Sequence, residues 1–434
     1  MPNRKPRVAI LNCVALNTGD AAILYVLVQQ LKEVYGDTVE IQIIDAKASE
    51  SQGFYRELGI FYDDPYNSSM SDHPKLYRLV FGIHCIGLAC VSQMPKGLAR
   101  RFITWLNPRL KPIVDADVVV ATGGTYLVEY YDLLPRFYSL MTSILFGKPL
   151  ILFTQSLGPF EKLLNRWMIR FCFNRCSHMF LRDERSRRHL KAIGVCDRIT
   201  VCSDAAFDLP AKPASNNSDA NGRGPKVAVS VREWKKFDNV SSDLGMERYL
   251  DAMKSTVEVL VRECAARITF ISTCQGAAGY SMRDDRVADR VVQMLSEDVR
   301  ASVQVDRLFR TPLQFVDAMR DFDFVIATRM HMAIMSMVAG TPVHAIAYEF
   351  KTVELFDNLG LGEATTPINE ADAQVLMNRV RDTLDKRDHI RDIITKQMPD
   401  LRTSARMPLE IFREAALSLG FPVDGSAQQN HGSR

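Results

Sequence analysis

The sequence predicts an α/β protein of two parallel-sheet domains, and three observations carry that reading. Short β-branched apolar runs alternate with longer amphipathic stretches, one polar break interrupts the alternation, and the alternation then resumes. Strands covered by helices on both sheet faces read as unbroken apolar runs, because no polar alternation survives there. With 434 residues, 47% of them apolar and 24% charged, the chain has material for two full-sized cores.

The elements follow in order. RVAILNCV (7–14) reads as a first strand, AAILYVLVQQLKEV (21–34) as the helix after it, and 39–45 as a second strand. ADVVVATGG (116–124), PLILFTQS (149–156) and HMFLRD (178–183) continue the βαβ pattern. AKPASNNSDANGRGP (211–225) has almost no large apolar side chain and is rich in Pro, Gly, Ser and Asn, so it reads as a linker. KVAVSVR (226–232), ARITFIST (266–273), ASVQVD (301–306), DFVIATR (323–329) and PVHAIAY (342–348) then supply a second set of strands. Helical patterns run from about 370 to 419, and DGSAQQNHGSR (424–434) reads as a disordered tail. The domains are therefore expected at 1–210 and 226–423.

Several classes drop out. Fifty-four Lys and Arg against 51 Asp and Glu leave +3, without the basic excess of a nucleic-acid surface. Asn12 interrupts the basic-then-apolar N-terminus, which reads as a strand rather than a signal peptide. The apolar stretch 79–91 contains His84 and is too short for a span of about 20 residues. Nine cysteines without a CxxC pair suit buried free thiols in a reducing, cytoplasmic setting.

An internal echo points to the site: DADVVVATGG, from Asp115, parallels DFDFVIATRMH, from Asp321. Ligands of doubly wound sheets lie beyond the carboxyl ends of the strands, which places Gly123, Gly124, Arg329 and His331 on the ligand side. Two domains presenting such edges to each other would enclose a cleft. In NTGDAAIL (17–24), Gly19 frees the turn and Asp20 is placed to cap the helix. The segment reads equally as a well-made cap or as amides offered to an anionic or polyhydroxyl ligand. Gly123, Gly124 and Thr125 make the same offer, although a tight turn explains them almost as well.

TRMH (328–331) is the sharpest signal, an Arg and a His at a helix start. Helix amides and a guanidinium together suit a carboxylate or phosphate, and the imidazole can exchange a proton with what is held there. Arg232 reads as a second anion clamp or as a surface ion pair, and Lys351 as a weaker candidate. Asp115/Asp117 and Asp321/Asp323 match a metal-holding DxD pattern but precede their strands, opposite the expected site. None of the eight histidines stands in HxH or HExxH, so no metal is expected.

Taken together, NTGDAAIL, ATGGTYL, TQSLGPF, LRDERS, SDAAFDL, SVR, ATRMHMAIMSMVAGTPVHAIAYEFK and LFDNLGL stand in an order that resembles the polysaccharide pyruvyl transferase family, from about residue 8 to 361. Residues 51–107 depart from it. The resemblance implies a glycosyltransferase-B-like pair of Rossmann-like domains facing a cleft, the first on the acceptor side and the second on the donor side. It implies transfer of the pyruvyl group of phosphoenolpyruvate onto two saccharide hydroxyls, releasing phosphate, in exopolysaccharide or cell-surface glycan synthesis and without a further cofactor. His331 would be the catalytic acid, and Arg329, Arg232 and Lys351 the donor-binding set. Asn17, Gly19, Asp20, Gly123, Gly124, Thr125 and Gln155 are the expected acceptor-binding set. Asp20, Glu129, Asp183 and Glu349 remain open as the base.

A nucleotide-sugar glycosyltransferase of the same two-domain fold and a noncatalytic saccharide-binding protein are the alternatives, since fold does not decide function. Residues 75–105, apolar with a basic flank and Trp105, read either as ordinary helices in the core or a homo-oligomer interface, or as a peripheral contact at the inner face of a membrane carrying a lipid-linked acceptor.

Overall fold

The computed structural model describes residues 4–66, 74–129, 131–211, 224–277 and 283–423. These fall into two compact units, one formed by 4–15, 23–205 and 404–423, the other by 16–22 and 206–403. Most of the predicted linker, 212–223, and the predicted tail, 424–434, lie outside the described residues.

In the first unit, β1 (Arg7–Cys13), β2 (Glu40–Asp45), β3 (Ile60–Asp63), β4 (Val118–Ala121), β5 (Gly124–Leu127), β6 (Leu150–Leu157), β7 (His178–Leu181) and β8 (Ile199–Val201) form one sheet. Its order is β3-β2-β1-β4-β6-β7-β8, with β5 paired to β6, and every pairing is parallel. All positions of β4 and β6 are buried, which is why VVVA and LILFTQSL carry no alternation. The strand order reverses between β1 and β4, and that point is where a doubly wound sheet opens its ligand crevice.

The second unit repeats the plan with β9 (Lys226–Ser230), β10 (Arg267–Phe270), β11 (Val303–Val305), β12 (Phe324–Ala327), β13 (Val343–Ala347) and β14 (Thr365–Pro367). The order β11-β10-β9-β12-β13-β14 is again all parallel, the Rossmann arrangement, with the reversal between β9 and β12. The echoed segments are thus explained: β4 and β12 hold the same place in their sheets, each beside its first strand. Three of the four acidic residues that precede them serve the fold. Asp115 pairs with Arg100 (2.6 Å) and Lys111, Asp117 pairs with Arg4 and accepts from the Arg7 amide (2.9 Å), and Asp323 accepts from the Lys226 amide (2.8 Å).

Two expectations change. The second domain does not extend to 423: residues 404–423 pack with the first unit, and 16–22 group with the second. Ala405 accepts a hydrogen bond from Gln30 (3.1 Å), Arg406 and Arg413 pair with Glu33, and Phe412 stacks on Phe153 at 6.1 Å. Helical period showed these helices but not which sheet they would cover. None of the nine cysteines forms a disulfide, yet only Cys13, Cys172, Cys176, Cys202 and Cys274 are buried, while Cys90 and Cys196 are exposed. Among the described residues no helix is long and apolar enough to cross a membrane.

One core histidine gives the fold a pH dependence. His344, on β13, is fully buried with its two ring nitrogens on the hydroxyls of Thr383 (2.8 Å) and Thr366 (2.9 Å). Burial, with a smaller contribution from Arg379, pushes its imidazole down to about 3. The unfolded chain takes up this proton near pH 6.5 and the folded chain does not. Stability is therefore intact above about 6.5 and falls by up to about 1.4 kcal/mol per pH unit below it. Unfolding free energies from urea titration at pH 7 and pH 5 should differ by about 2 kcal/mol more for the native chain than for His344→Gln. Equal pH slopes in the two proteins would refute the assignment.

Candidate active site

The TRMH segment leaves β12 at the reversal point of the second sheet, and Ser230 at the end of β9 holds it. The Ser230 hydroxyl accepts from the amides of Thr328 (2.9 Å) and Arg329 (3.3 Å), and the Thr328 hydroxyl donates back to the Ser230 carbonyl (2.9 Å). Buried Tyr249 contacts the same Thr328 hydroxyl at 2.8 Å. Arg329 keeps an extended backbone, so the helix Met330–Val338 begins abruptly after it and carries His331 in its first turn, half-buried.

Arg329 is buried and paired within the protein. Its Nε and one terminal nitrogen donate to the two carboxylate oxygens of Asp284 at 2.8 and 2.7 Å, and Ser272 also donates to that carboxylate. Burial opposes the guanidinium charge, but Asp284 overrides it and holds Arg329 well above its ordinary value. Asp284 opens the helix Asp284–Met294 and went unnoticed in the sequence, because nothing local links it to an arginine 45 residues away.

Arg232 lies two residues past β9 and stacks on aromatics. Its guanidinium carbon is 3.9 Å from the Tyr348 ring centre and 5.1 Å from that of Trp234, and the two rings are 4.7 Å apart. The guanidinium lies over this aromatic pair and its Nε donates to the Glu233 carbonyl (3.2 Å), so its terminal N–H groups are the donors an anion would meet. Trp234 is a second residue the sequence reading missed. Lys351 is less available, since it pairs with Glu349 at 2.6 Å and both are largely buried.

The second unit also contains the NTGD turn. The Thr18 amide donates to the Thr273 carbonyl (3.0 Å) and its hydroxyl to the Arg310 carbonyl (2.8 Å). Gly19 then lies directly on His331: a Cβ at Gly19 would stand 2.7 Å from both Cβ and Nδ1 of the imidazole. Asn17 orders the turn by accepting from the Gly19 amide (3.0 Å) and donating to Asp20 (2.9 Å). Asn17, Gly19 and Asp20 are thereby gathered with His331, and the glycine is needed for close approach. Gly19→Ala should displace the imidazole and lower kcat by about 10²-fold, the scale of a 1 Å misplacement. Steady-state kinetics within threefold of the native chain would contradict that role.

The remaining candidates sit on the first sheet. Gly124 has φ +142°, open to glycine, and a Cβ at Gly123 would meet the Thr154 hydroxyl at 2.5 Å and the Phe153 carbonyl at 2.9 Å. Packing accounts for Gly123 and the backbone angle for Gly124. Thr125 accepts from Arg182 (2.8 Å), whose guanidinium forms a buried pair with Asp204. Gln155, fully buried, donates to the Thr122 carbonyl and the Tyr126 hydroxyl (2.6 Å), while its carbonyl oxygen has no partner. The Thr122 and Thr154 hydroxyls are likewise buried without one, so polar capacity gathers at the carboxyl ends of β4 and β6.

Two of the four carboxylates considered as the base are structural. Glu129 accepts from the Lys162 amide (3.0 Å) and Asn165 (2.8 Å) ahead of the helix Leu163–Phe173, and Asp183 caps Glu184–Ala192 through the Ser186 amide (2.6 Å). Glu349 pairs with Lys351, which leaves Asp20, bonded to Asn17 and next in the chain to Gly19, as the remaining candidate. Among the described residues no group of three or more His, Cys, Asp or Glu is placed to hold a metal ion.

Comparison with known proteins bears on the family and the fold. The model of the polysaccharide pyruvyl transferase family matches residues 17–349. The amylovoran biosynthesis protein AmsJ of Erwinia amylovora is 25% identical over 402 residues, 89% of this chain and 94% of that protein. Solved structures with the same two-domain, glycosyltransferase-B-like fold include a putative UDP-N-acetylglucosamine 2-epimerase from Listeria monocytogenes (TM-score 0.57, 13% identity, 93% of this chain and 94% of that one). Another is UDP-GlcNAc 2-epimerase from Neisseria meningitidis bound to UDP-GlcNAc (TM-score 0.55, 10% identity, 95% and 100%). At such identities the structures speak to fold alone.

Proposed function

The chain belongs to the polysaccharide pyruvyl transferase family, and from that premise we propose that it moves the pyruvyl group of phosphoenolpyruvate onto two hydroxyls of a saccharide, forming a cyclic ketal and releasing phosphate. The observation that carries the reading is the seating of Gly19 on the His331 imidazole at the reversal point of the second sheet. It joins a polyol-suited turn, a proton-transfer group and a helix N-terminus in one place.

The chemistry uses these parts. The donor carries a carboxylate and a phosphate, which Arg232 and the amides starting Met330–Val338 are suited to hold. His331, as imidazolium, protonates the CH₂ carbon of the enolpyruvyl group while a sugar oxygen bonds to C2. Asp20 takes that hydroxyl's proton and returns it to the departing phosphate. The second hydroxyl then bonds to C2, and His331, neutral after its donation, takes its proton. Both hydroxyl protons are accounted for, one in the new methyl group and one on phosphate. The relative's role in amylovoran biosynthesis supports an exopolysaccharide repeat or its lipid-linked precursor as the acceptor class.

The purified chain, incubated in EDTA with phosphoenolpyruvate and a panel of free and lipid-linked saccharides, should release phosphate and add the mass of one ketal-linked pyruvyl group. Consumption of a nucleotide sugar instead would move it to the glycosyltransferases, and loss of turnover on chelation would restore a metal. Arg232→Ala should weaken donor binding by about 1.5 to 3 kcal/mol, the range for charge-assisted hydrogen bonds. Unchanged affinity in titration calorimetry removes Arg232 from the donor site.

A further inference from the structure

The first unit carries an exposed apolar surface that none of the chemistry above uses. In the helix Pro74–Ser92, Leu79, Ile83 and Ile86 recur at helical spacing and stay exposed, while Phe81, Leu88 and Val91 are buried. The helix Lys96–Leu106 repeats this, with Leu98, Phe102 and Trp105 outside and Ala99 and Ile103 inside. In Leu163–Phe173, Leu163, Leu164 and Trp167 are outside, and Met168, Ile169 and Phe173 inside. Trp105 is 75% exposed and Trp167 64%, unusual for side chains with so much apolar area.

The buried sides of all three helices join one core with Val119, Ala121, Leu150 and Leu152. Those four alternate along β4 and β6, so the helices cover a single face of the sheet and their outer sides look the same way. The charge is one-sided as well. Between Asp72 and Asp115 the sequence has seven Lys and Arg and no Asp or Glu, although Arg100 and Lys111 pair with Asp115, and from 162 to 177, just past exposed Glu161, it has four and none. Lys96, Arg101, Lys162, Arg166 and Arg170 are exposed around the apolar side chains.

We propose that this face docks on an anionic lipid bilayer. Helical apolar residues bury at the boundary of headgroups and acyl chains, Trp settles at that level, and Lys and Arg draw on anionic headgroups. The same charge disfavours a second copy of the chain, because a two-fold contact would set the patch against itself and bring Lys96, Arg101, Lys162, Arg166 and Arg170 together with their own copies. The proposal stands apart from the reaction proposed above, since vesicle binding needs neither donor nor acceptor.

The full chain would be sedimented at low salt with phosphatidylcholine vesicles, with and without phosphatidylglycerol, alongside Trp105→Ser/Trp167→Ser and Lys96→Glu/Arg101→Glu. All four positions are exposed, and unchanged melting temperatures would show that the variants fold. Binding is expected only with phosphatidylglycerol, weakened by salt, abolished by the Trp pair, and reduced at least about thirtyfold by the charge reversal. Absence of binding at low salt, equal binding to both vesicles, or indifference to both variants overturns the proposal. So does a concentration-dependent dimer in light scattering that the Trp pair abolishes, which would assign the face to a second copy.

Discussion

His331→Ala is expected to lower kcat by about 10²- to 10⁴-fold while leaving donor affinity within about tenfold. In the proposed reaction the imidazole serves the transition state, where the enol carbon takes a proton, more than ground-state binding, which that proposal gives to Arg232 and the helix amides. His331→Gln is the companion, because it keeps a side chain of similar reach against Gly19 and cannot supply a proton. If both variants lose turnover alike while calorimetry shows intact donor binding, the acid role stands. Near-normal kcat in either one removes His331 from the chemistry, and joint loss of binding and turnover would make it a donor contact.

Much of this was legible in the sequence for definite physical reasons. Parallel strands buried on both faces leave unbroken apolar runs, so β1, β4, β6, β9 and β12 could be read directly. The echo of β4 and β12 marks the candidate site, because ligands meet doubly wound sheets at the reversal point. The short strands β5 and β14 gave too few residues for any period, and β3 lay in a stretch without familiar pattern. At the site, Asn17, Gly19, Asp20 and His331 were all singled out, but their meeting was not foreseeable: 16–22 folds with the second unit although the chain continues from it into the first. Arg329 was recognised as important with an incomplete picture of its role, since a strand-end arginine looks the same whether its partner is a ligand or Asp284.

That distinction defines the second large effect. Arg329 and Asp284 form a bidentate pair with side chains only 10% and 3% exposed, so removing either partner leaves a buried charge uncompensated. Arg329→Ala and Asp284→Ala should each destabilise the fold by about 3 to 5 kcal/mol, read as a shift in urea midpoint. Replacing both at once, Arg329→Met with Asp284→Leu, removes the two charges together and should restore most of that loss. The double variant then separates two roles that the single variants mix. If the guanidinium field also serves the donor, the refolded double variant binds phosphoenolpyruvate about 10- to 100-fold more weakly, at 1.4 kcal/mol per factor of ten. If it binds the donor as tightly as the native chain, Arg329 is a strut that positions His331 through the turn at Thr328, and the donor's charge rests on Arg232 and the helix amides alone.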